Sequence, residues 1–503
     1  MNPLKKLASQ TAIYGLSSVV GRLLNYLLVP LYTRYFSPEQ YGVVTELYAY
    51  VAFFVIILTY GIETAFFRFS QKEKSNRLVY STSLISLLST SFIFVAIMFF
   101  FSENIASTIG YPSNQDYIKW FALIIGLDAV SSISFAKLRA LNKATRFALV
   151  RLVNIFINIG LNLFFIIYCP YVIENDLQSL NFVNSVYSES VGVGYIFIAN
   201  LIASCVTILM LAPEMINSVW IFDKKLWKKM MIYASPLLIA GLAGMTNETI
   251  DRILLKYLLP ENINSASEIG LYGAFYKLSI IMILFIQTFR FAAEPFFFSQ
   301  ERQANSKKVY ADVMKYFVIV LSVIFLIVTT FYEFFINFLG SDYHDERGFI
   351  VVSILLLANF FLGIYYNLSI WYKLTDKTIF GAYLAIFGAI ITIVLNLILI
   401  PMLYMNDAGI KIPMGFVGSA IATLACYFSM TILSFLLAKK HYPIDYDYKR
   451  ILLYFSLMLS IFIILHFTSF TIIINSVFVF IYLIVIYLVE KPKKPINATP
   501  ELF

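Results

Sequence analysis

Long apolar runs separated by short polar connections set the pattern of this chain. Each run approaches or exceeds about 20 residues, the length of an α-helix that crosses a bilayer. Fourteen such runs are visible. The first six lie at roughly 10–33, 41–62, 78–101, 117–136, 147–168 and 191–212. The next six lie at roughly 230–256, 270–290, 312–338, 349–372, 378–402 and 415–437, and the last two at 450–467 and 470–489. Membrane-spanning strands would be shorter and would alternate with period two, which these runs do not. The pattern predicts an all-α polytopic membrane protein with about 14 transmembrane helices.

Composition fixes the solvent. Of 503 residues, 60% are apolar and only 13% are charged, against about 25% charged in soluble domains. The net charge of +8 could suggest nucleic acid or an anionic surface, but the distribution of Lys and Arg explains it otherwise. The connections after even-numbered helices, together with both termini, hold 29 of the 37 basic residues. By the positive-inside rule that side is cytoplasmic, with both termini. Lys5 and Lys6 precede an apolar run that continues past Pro30, too long for a cleavable signal. The outer connection at 169–190 reads as about 22 residues of mixed polar sequence, so no soluble domain is expected.

The chain resembles itself. Tyr41-Gly42 and an apolar run lead to Glu63-Thr64-Ala65-Phe66-Phe67, while Tyr272-Gly273 and a similar run lead to Glu294-Pro295-Phe296-Phe297. Such a repeat implies two six-helix bundles, 1–220 and 221–440, each beginning on the same side of the membrane. Parallel repeats of this kind are related by a pseudo-two-fold axis along the membrane normal, with substrate held between them. Helices 13 and 14 and the tail, 441–503, fall outside that symmetry.

Charges retained inside spans cost about 2.5–3.5 kcal/mol each on insertion scales and carry a functional expectation. Arg22 and Asn25 lie on a polar stripe of helix 1 with Gly15 and Ser18. A cavity role and a partner on another helix are both open for them. In helix 7, Glu248 and Arg252 are four apart and can pair along one face, leaving Asp251 without a helical partner. Gly241 and Gly244 permit close backbone approach there. Helix 8 places Tyr276, Ile280, Ile283, Gln287, Arg290 and Glu294 on one face with Lys277 beside it, and Arg290 and Glu294 read as a gate or a salt bridge near its cytoplasmic end. Helix 5 carries Arg151, Asn154, Asn158 and Asn162 at helical spacing, which suits sugar binding and interhelical hydrogen bonding alike. Asn359, Tyr366 and Lys373 of helix 10 read the same two ways. Glu46 and Asp128 are candidates to carry a coupling proton or sodium ion. Arg22, Arg252 and Lys277 together offer cationic positions to a phosphate-bearing ligand, and arginine's planar fork suits phosphate.

Catalytic patterns are missing from the sequence. Cys169, Cys205, Cys426, His344, His441 and His466 are scattered, without metal-ligand spacing. There is no Walker-type motif and no nucleophile-base arrangement. The expectation is a protein that is not an enzyme and needs no cofactor or metal.

Two motifs carry a family resemblance. Tyr32-Thr33-Arg34-Tyr35-Phe36-Ser37-Pro38-Glu39-Gln40-Tyr41-Gly42 resembles the early motif of polysaccharide repeat-unit flippases of the Wzx type. Asp251-Arg252-Ile253-Leu254-Leu255-Lys256-Tyr257-Leu258, followed by Gly270 to Leu278, resembles their second-half motif. The wider superfamily of multidrug, oligosaccharidyl-lipid and polysaccharide (MOP) exporters shares the fourteen-helix or twelve-helix architecture. The resemblance implies a bacterial inner-membrane protein that moves undecaprenyl-diphosphate-linked oligosaccharides by alternating access through a cationic cavity. It implies O-antigen, lipopolysaccharide, capsule or exopolysaccharide assembly, with ion or potential coupling and with a polymerase and glycosyltransferases as partners. Lipid II flippases and MATE-type multidrug exporters are the alternatives within the superfamily.

Overall fold

The computed structural model describes residues 21–491 with the exception of 22, 25, 73–75, 177–179, 302, 304, 406–408, 410 and 469–471. Helix α1 is described from Leu28 to Tyr35. Helix α2, Pro38–Thr59, starts at a capping box in which Ser37 and Gln40 exchange side-chain and backbone hydrogen bonds, with Pro38 in the first turn. That combination satisfies the orphan amides of a helix start. After a turn at Tyr60 and Gly61 the chain continues as Ile62–Lys72. The following spans are α3 (Asn76–Phe100), α4 (Gln115–Ala140), α5 (Ala144–Leu163), α6 (Gly194–Ile216) and α7 (Lys224–Leu258). Helix α8 comes in two segments, Ser265–Leu278 and Ile280–Gln300, and α9 to α12 are Ser306–Thr330, Gly348–Leu368, Ile379–Leu399 and Gly415–His441. Helices α13 (Tyr448–Phe467) and α14 (Ile472–Glu490) close the chain.

Among the described residues, eleven helices are long and apolar enough to cross a membrane, and the bent α8 pair makes a twelfth. Ile474–Glu490 is a shorter apolar helix. Thirteen of the fourteen expected runs thus have a helix, and α1 covers the described end of the first. Large apolar side chains such as Phe92, Phe100, Leu209 and Phe480 stand exposed on the outer surfaces of the bundle, as lipid-facing residues do. The chain is a multi-pass all-α membrane protein.

Three local readings change. The 169–190 connection is largely helical: α5 runs through a π-helical turn at Phe164–Tyr168 into Cys169–Glu174, and Leu180–Val186 follows. Helix α8 is bent by 49° between its segments, so its residues 276–294 do not share one continuous face. A small antiparallel hairpin, β1 (Leu403–Met405) with β2 (Lys411–Pro413), joins α11 to α12.

Helices α3 to α6 pack among themselves, as do α10 to α12, and α9 carries α13 and α14. Glu490 at the end of α14 fastens that corner, accepting from Lys315 Nζ at 2.8 Å, Arg450 Nη1 at 3.1 Å and the Tyr454 hydroxyl at 2.6 Å. Helix α7 spans both groups. Its first half buries Leu226, Met230 and Ala234 against Ile62, Phe66 and Tyr80. Its second half packs along α11, where Asn247 Nδ2 donates to the Ala385 carbonyl at 3.1 Å. Packing between α1–α6 and α8–α12 is concentrated on α1 and α2 against α8 and the Ser341–Tyr343 turn, at the end the charge pattern assigns to the outside.

Candidate functional site

The charged cluster of α7 lies where that helix meets α8. Arg252 is buried, with 7% of its surface exposed. The expected pairing with Glu248 is not what forms. Arg252 Nη1 lies 3.3 Å from Asp251 Oδ1 and donates to the backbone carbonyl of Glu248 at 2.7 Å. Asp251, expected to stand without a partner, is thus the ion-pair partner, and its Oδ2 accepts from the Tyr272 hydroxyl at 2.6 Å. The reason is the α8 wall. The Tyr276 ring sits 4.4 Å beneath the guanidinium and holds it flat, while Tyr272 fixes the carboxylate. Arginine carries five N–H donors, more than the acceptors it meets among the described residues: Asp251 Oδ1, the Glu248 carbonyl and the Tyr276 hydroxyl. Glu248 is exposed and Lys277 is half-buried. A mid-span carboxylate that keeps accessible surface belongs on a hydrated cleft and not on acyl chains. A methyl group added at Gly244 would meet nothing within 4 Å, and one at Gly241 only the Ile56 side chain at 3.3 Å. The expected close backbone approach is not made at Gly244.

The closest backbone approach occurs one level outward, between α2 and α8. A Cβ on Gly42 would stand 1.8 Å from the Ala266 carbonyl oxygen, and one on Gly270 would stand 1.8 Å from that of Pro38. Only glycine permits this reciprocal crossing. It brings Gly42 against Gly270. Beside the crossing, Glu46 is fully buried. Both of its carboxylate oxygens lie 2.9 Å from Lys256 Nζ of α7, and the Tyr111 hydroxyl donates to Oε2. Lys256 also donates to the Ile109 carbonyl. Glu46 therefore bridges α2 to α7 at the end the charge pattern assigns to the outside. The Tyr343 hydroxyl donates to the Phe36 carbonyl at 3.0 Å, a further outer contact between α1 and the second half.

A polar line on α6 ties the first bundle together. Asn200 donates to the Tyr48 hydroxyl of α2 at 2.9 Å, Ser204 to Asp128 Oδ1 of α4 at 2.9 Å, and Thr207 accepts from Asn154 Nδ2 of α5 at 3.0 Å. Positions 200, 204 and 207 share one helical face. Asp128 nevertheless stays exposed, so it remains available to a cleft. Asn162 donates to the Asn158 carbonyl at 2.7 Å and accepts from the Tyr32 hydroxyl at 3.0 Å. Asn154 and Asn162 thus bond to other helices, one of the two readings open for them, while Asn158 is bonded within α5. In α10, Asn359 donates to Ser279 Oγ at 3.3 Å.

Arg22 and Asn25 lie outside the described residues, as does the side chain of Glu294. Arg290 stacks over the Tyr366 ring at 3.9 Å, away from Arg252. The structure thus brings Glu248, Asp251, Arg252 and Lys277 to one region and separates Asp128, Asn154 and Asn158 into another. Sequence reasoning missed Tyr272, Tyr111 and the pairing role of Lys256. One signal was present: a lone carboxylate in helix 2 and a lone cation one turn beyond Arg252 in helix 7 need each other. Among the described residues, no group of three or more His, Cys, Asp or Glu could hold a metal.

The fold has known relatives. A lipid II flippase, MurJ, in an inward closed conformation superimposes with a TM-score of 0.70 at 16% identity, covering 95% of this chain and 98% of that one. An inward-facing multidrug resistance MATE family transporter of the MOP superfamily gives 0.64 at 13% identity, over 86% and 94% of the two chains. An outward-facing conformation of a MATE family transporter gives 0.59 at 13% identity, over 86% and 95%. No curated protein sequence matches the chain significantly. Residues 7–300 match the family described as polysaccharide biosynthesis protein. With more than half of its length matched there, and with the fold these transporters share, the chain belongs to the polysaccharide biosynthesis protein family.

Proposed function

We propose that this protein is a flippase that carries undecaprenyl-diphosphate-linked oligosaccharides from the cytoplasmic to the outer leaflet of a bacterial inner membrane. The observation that carries the reading is Arg252. It is a buried arginine of α7 packed against α8, and it carries more N–H donors than it meets acceptors among the described residues. Lys277 adds a second cation near it, with Asp251 and Glu248 as the two carboxylates of the same cluster. A diphosphate supplies the acceptors that such a fork lacks. The family membership and the likeness to a lipid II flippase fold support a lipid-linked substrate.

In this reading the two bundles rock about the substrate. The outer crossing of α2 with α8 and the bridge of Glu46 to Lys256 hold the outer side shut while the substrate enters from the cytoplasmic side. Opening breaks both and releases the diphosphate outward. The protein transports without covalent chemistry, has both termini in the cytoplasm, and works beside glycosyltransferases and a polymerase of O-antigen, capsule or exopolysaccharide assembly. An ion gradient or the membrane potential drives it, with Asp128 as the remaining carboxylate candidate. The second reading is a lipid II flippase, favoured by the 0.70 superposition on MurJ. Both substrates share the polyprenyl diphosphate.

Loss of the gene separates the two. Missing surface glycan with intact wall growth supports the oligosaccharide reading, and lysis supports lipid II. Arg252→Ala should reduce glycan export by at least about tenfold, since a charge-assisted fork is removed, with normal amounts of protein in the membrane. Arg252→Lys keeps the charge but not the fork and should recover only part. Undiminished export in Arg252→Ala removes this reading of the site.

A further inference from the structure

The connection between α6 and α7, residues 217–223, lies at the end the charge pattern assigns to the cytoplasm. Val219, Trp220, Ile221 and Phe222 follow one another there, and each is between 40% and 56% exposed. Four consecutive exposed apolar side chains are not what a water-facing connection carries. The segment is nevertheless held in place. The Ile221 amide donates to Ser81 Oγ of α3 at 2.8 Å and the Asp223 amide to Thr82 Oγ1 at 3.2 Å. Just beyond, Trp227 Nε1 donates to Ser86 Oγ at 2.8 Å. Trp220 itself takes the left-handed conformation, with φ at 49°, where a bulky residue is seldom found. Bonds to α3 thus fix the backbone of the run while its side chains stay outside the bundle. The run also continues the lipid-facing surface of α6, whose last residue, Ile216, is 70% exposed.

The charges beside the run narrow the partner. Lys224, Lys225, Lys228 and Lys229 are all exposed in the first two turns of α7. None of the four makes an ion pair among the described residues. Positions 224 and 228, like 225 and 229, are four apart, so like charges oppose each other along the helix. Asp223, the one acid in 217–229, is occupied as the helix cap, where Oδ1 accepts from the Lys225 and Leu226 amides at 2.8 and 3.0 Å. The helix start is therefore satisfied, and what lacks a counterpart is the set of ammonium groups. Other cations at this end are engaged: Arg139 pairs with Glu63, Arg146 with Glu214, and Lys137 donates to the Glu214 carbonyl. The positive-inside bias accounts for lysines here but not for four apolar side chains set against them. Apolar side chains at headgroup depth with lysines beside them fit an anionic lipid surface. An acidic soluble partner would answer the lysines alone and leave the continuity with the lipid-facing side of α6 unexplained.

We infer that residues 219–229 bind the headgroup of an anionic phospholipid, with the apolar run inserted below the phosphate and the lysines around it. The inference does not rest on the transported substrate, and its test needs no transport. The full-length chain is reconstituted in phosphatidylcholine vesicles holding equal fractions of chain-brominated phosphatidylglycerol or chain-brominated phosphatidylcholine. Bromine quenches nearby tryptophan emission, and the quenching that disappears in Trp220→Phe reports this surface. That component should prefer brominated phosphatidylglycerol by at least about fivefold, the effect of one lysine at an anionic surface. Raising the salt to about 0.5 M should shrink the preference by screening. Lys228→Gln with Lys229→Gln should abolish most of it. Lys439→Gln with Lys440→Gln, an exposed pair at the end of α12, should leave it unchanged. Equal quenching by the two lipids overturns the inference, as does a Trp220 component that neither lipid quenches, which puts the run in water. A preference that survives the change at 228 and 229, or that falls as much with the α12 pair, also overturns it. The salt test uses the unaltered chain and so does not depend on the variants folding; a preference insensitive to salt counts against the inference in the same way.

Discussion

Replacing Lys256 by Met tests the outer latch. The lysine faces Glu46 with side-chain exposures of 16% and 1% and a separation of 2.9 Å. Without it, Glu46 keeps the Tyr111 hydroxyl and loses its countercharge. Breaking a buried pair from one side costs about 3–5 kcal/mol, because the remaining charge is left uncompensated. That cost falls on the closed arrangement alone. Once the outer side opens, Glu46 meets water, where an ion pair is worth about 0–1 kcal/mol. A differential of about 3 kcal/mol shifts a two-state ratio about 150-fold. The reporter is Thr45→Cys, whose side chain packs against Gly273, 2.6 Å from the position of its Cβ. In a background with Cys169, Cys205 and Cys426 replaced by Ser, an impermeant maleimide should label it slowly in the parent and much faster in Lys256→Met. Exchanging the charges, Glu46→Lys with Lys256→Glu, should restore most of the protection. Equal labelling of parent and Lys256→Met refutes the latch, as does a charge exchange that protects no better than the single change.

Two further predictions follow from the outer end. Gly42→Ala or Gly270→Ala drives a methyl group into a carbonyl oxygen 1.8 Å away, so each should disfavour the closed crossing by about 1–3 kcal/mol and raise the same maleimide labelling. The outer loop should also be acid-sensitive through Asp345. Burial pushes its carboxyl up, but the hydrogen bonds and charge of Arg347 outweigh this and hold it below the ordinary carboxylate range. A depressed folded-state value means the stabilisation is complete above the unfolded pKa of about 3.9 and is lost as pH falls through the folded one. Asp345→Asn should therefore melt below the parent at pH 7, with the gap closing under about pH 4.

What the sequence determined by itself was the solvent and the count of spans. A bilayer leaves a helix no choice but a long apolar run with its backbone bonds satisfied internally, and thirteen of the runs answer to α2 through α14. It also located the charged cluster of α7, since Glu248, Asp251 and Arg252 are conspicuous within a span. Pairing was beyond it. The spacing of Glu248 and Arg252 promised an ion pair along one helix, yet Tyr272 and Tyr276 of α8 turn the arginine toward Asp251. Which glycines touch was equally hidden, because apolar helices look alike at several offsets and only the crossing of α2 with α8 brings Gly42 against Gly270. The partner of Glu46, Lys256, lies 210 residues further along the chain. A side chain's partner across helices depends on how the helices cross, and that is set by packing that local sequence does not record.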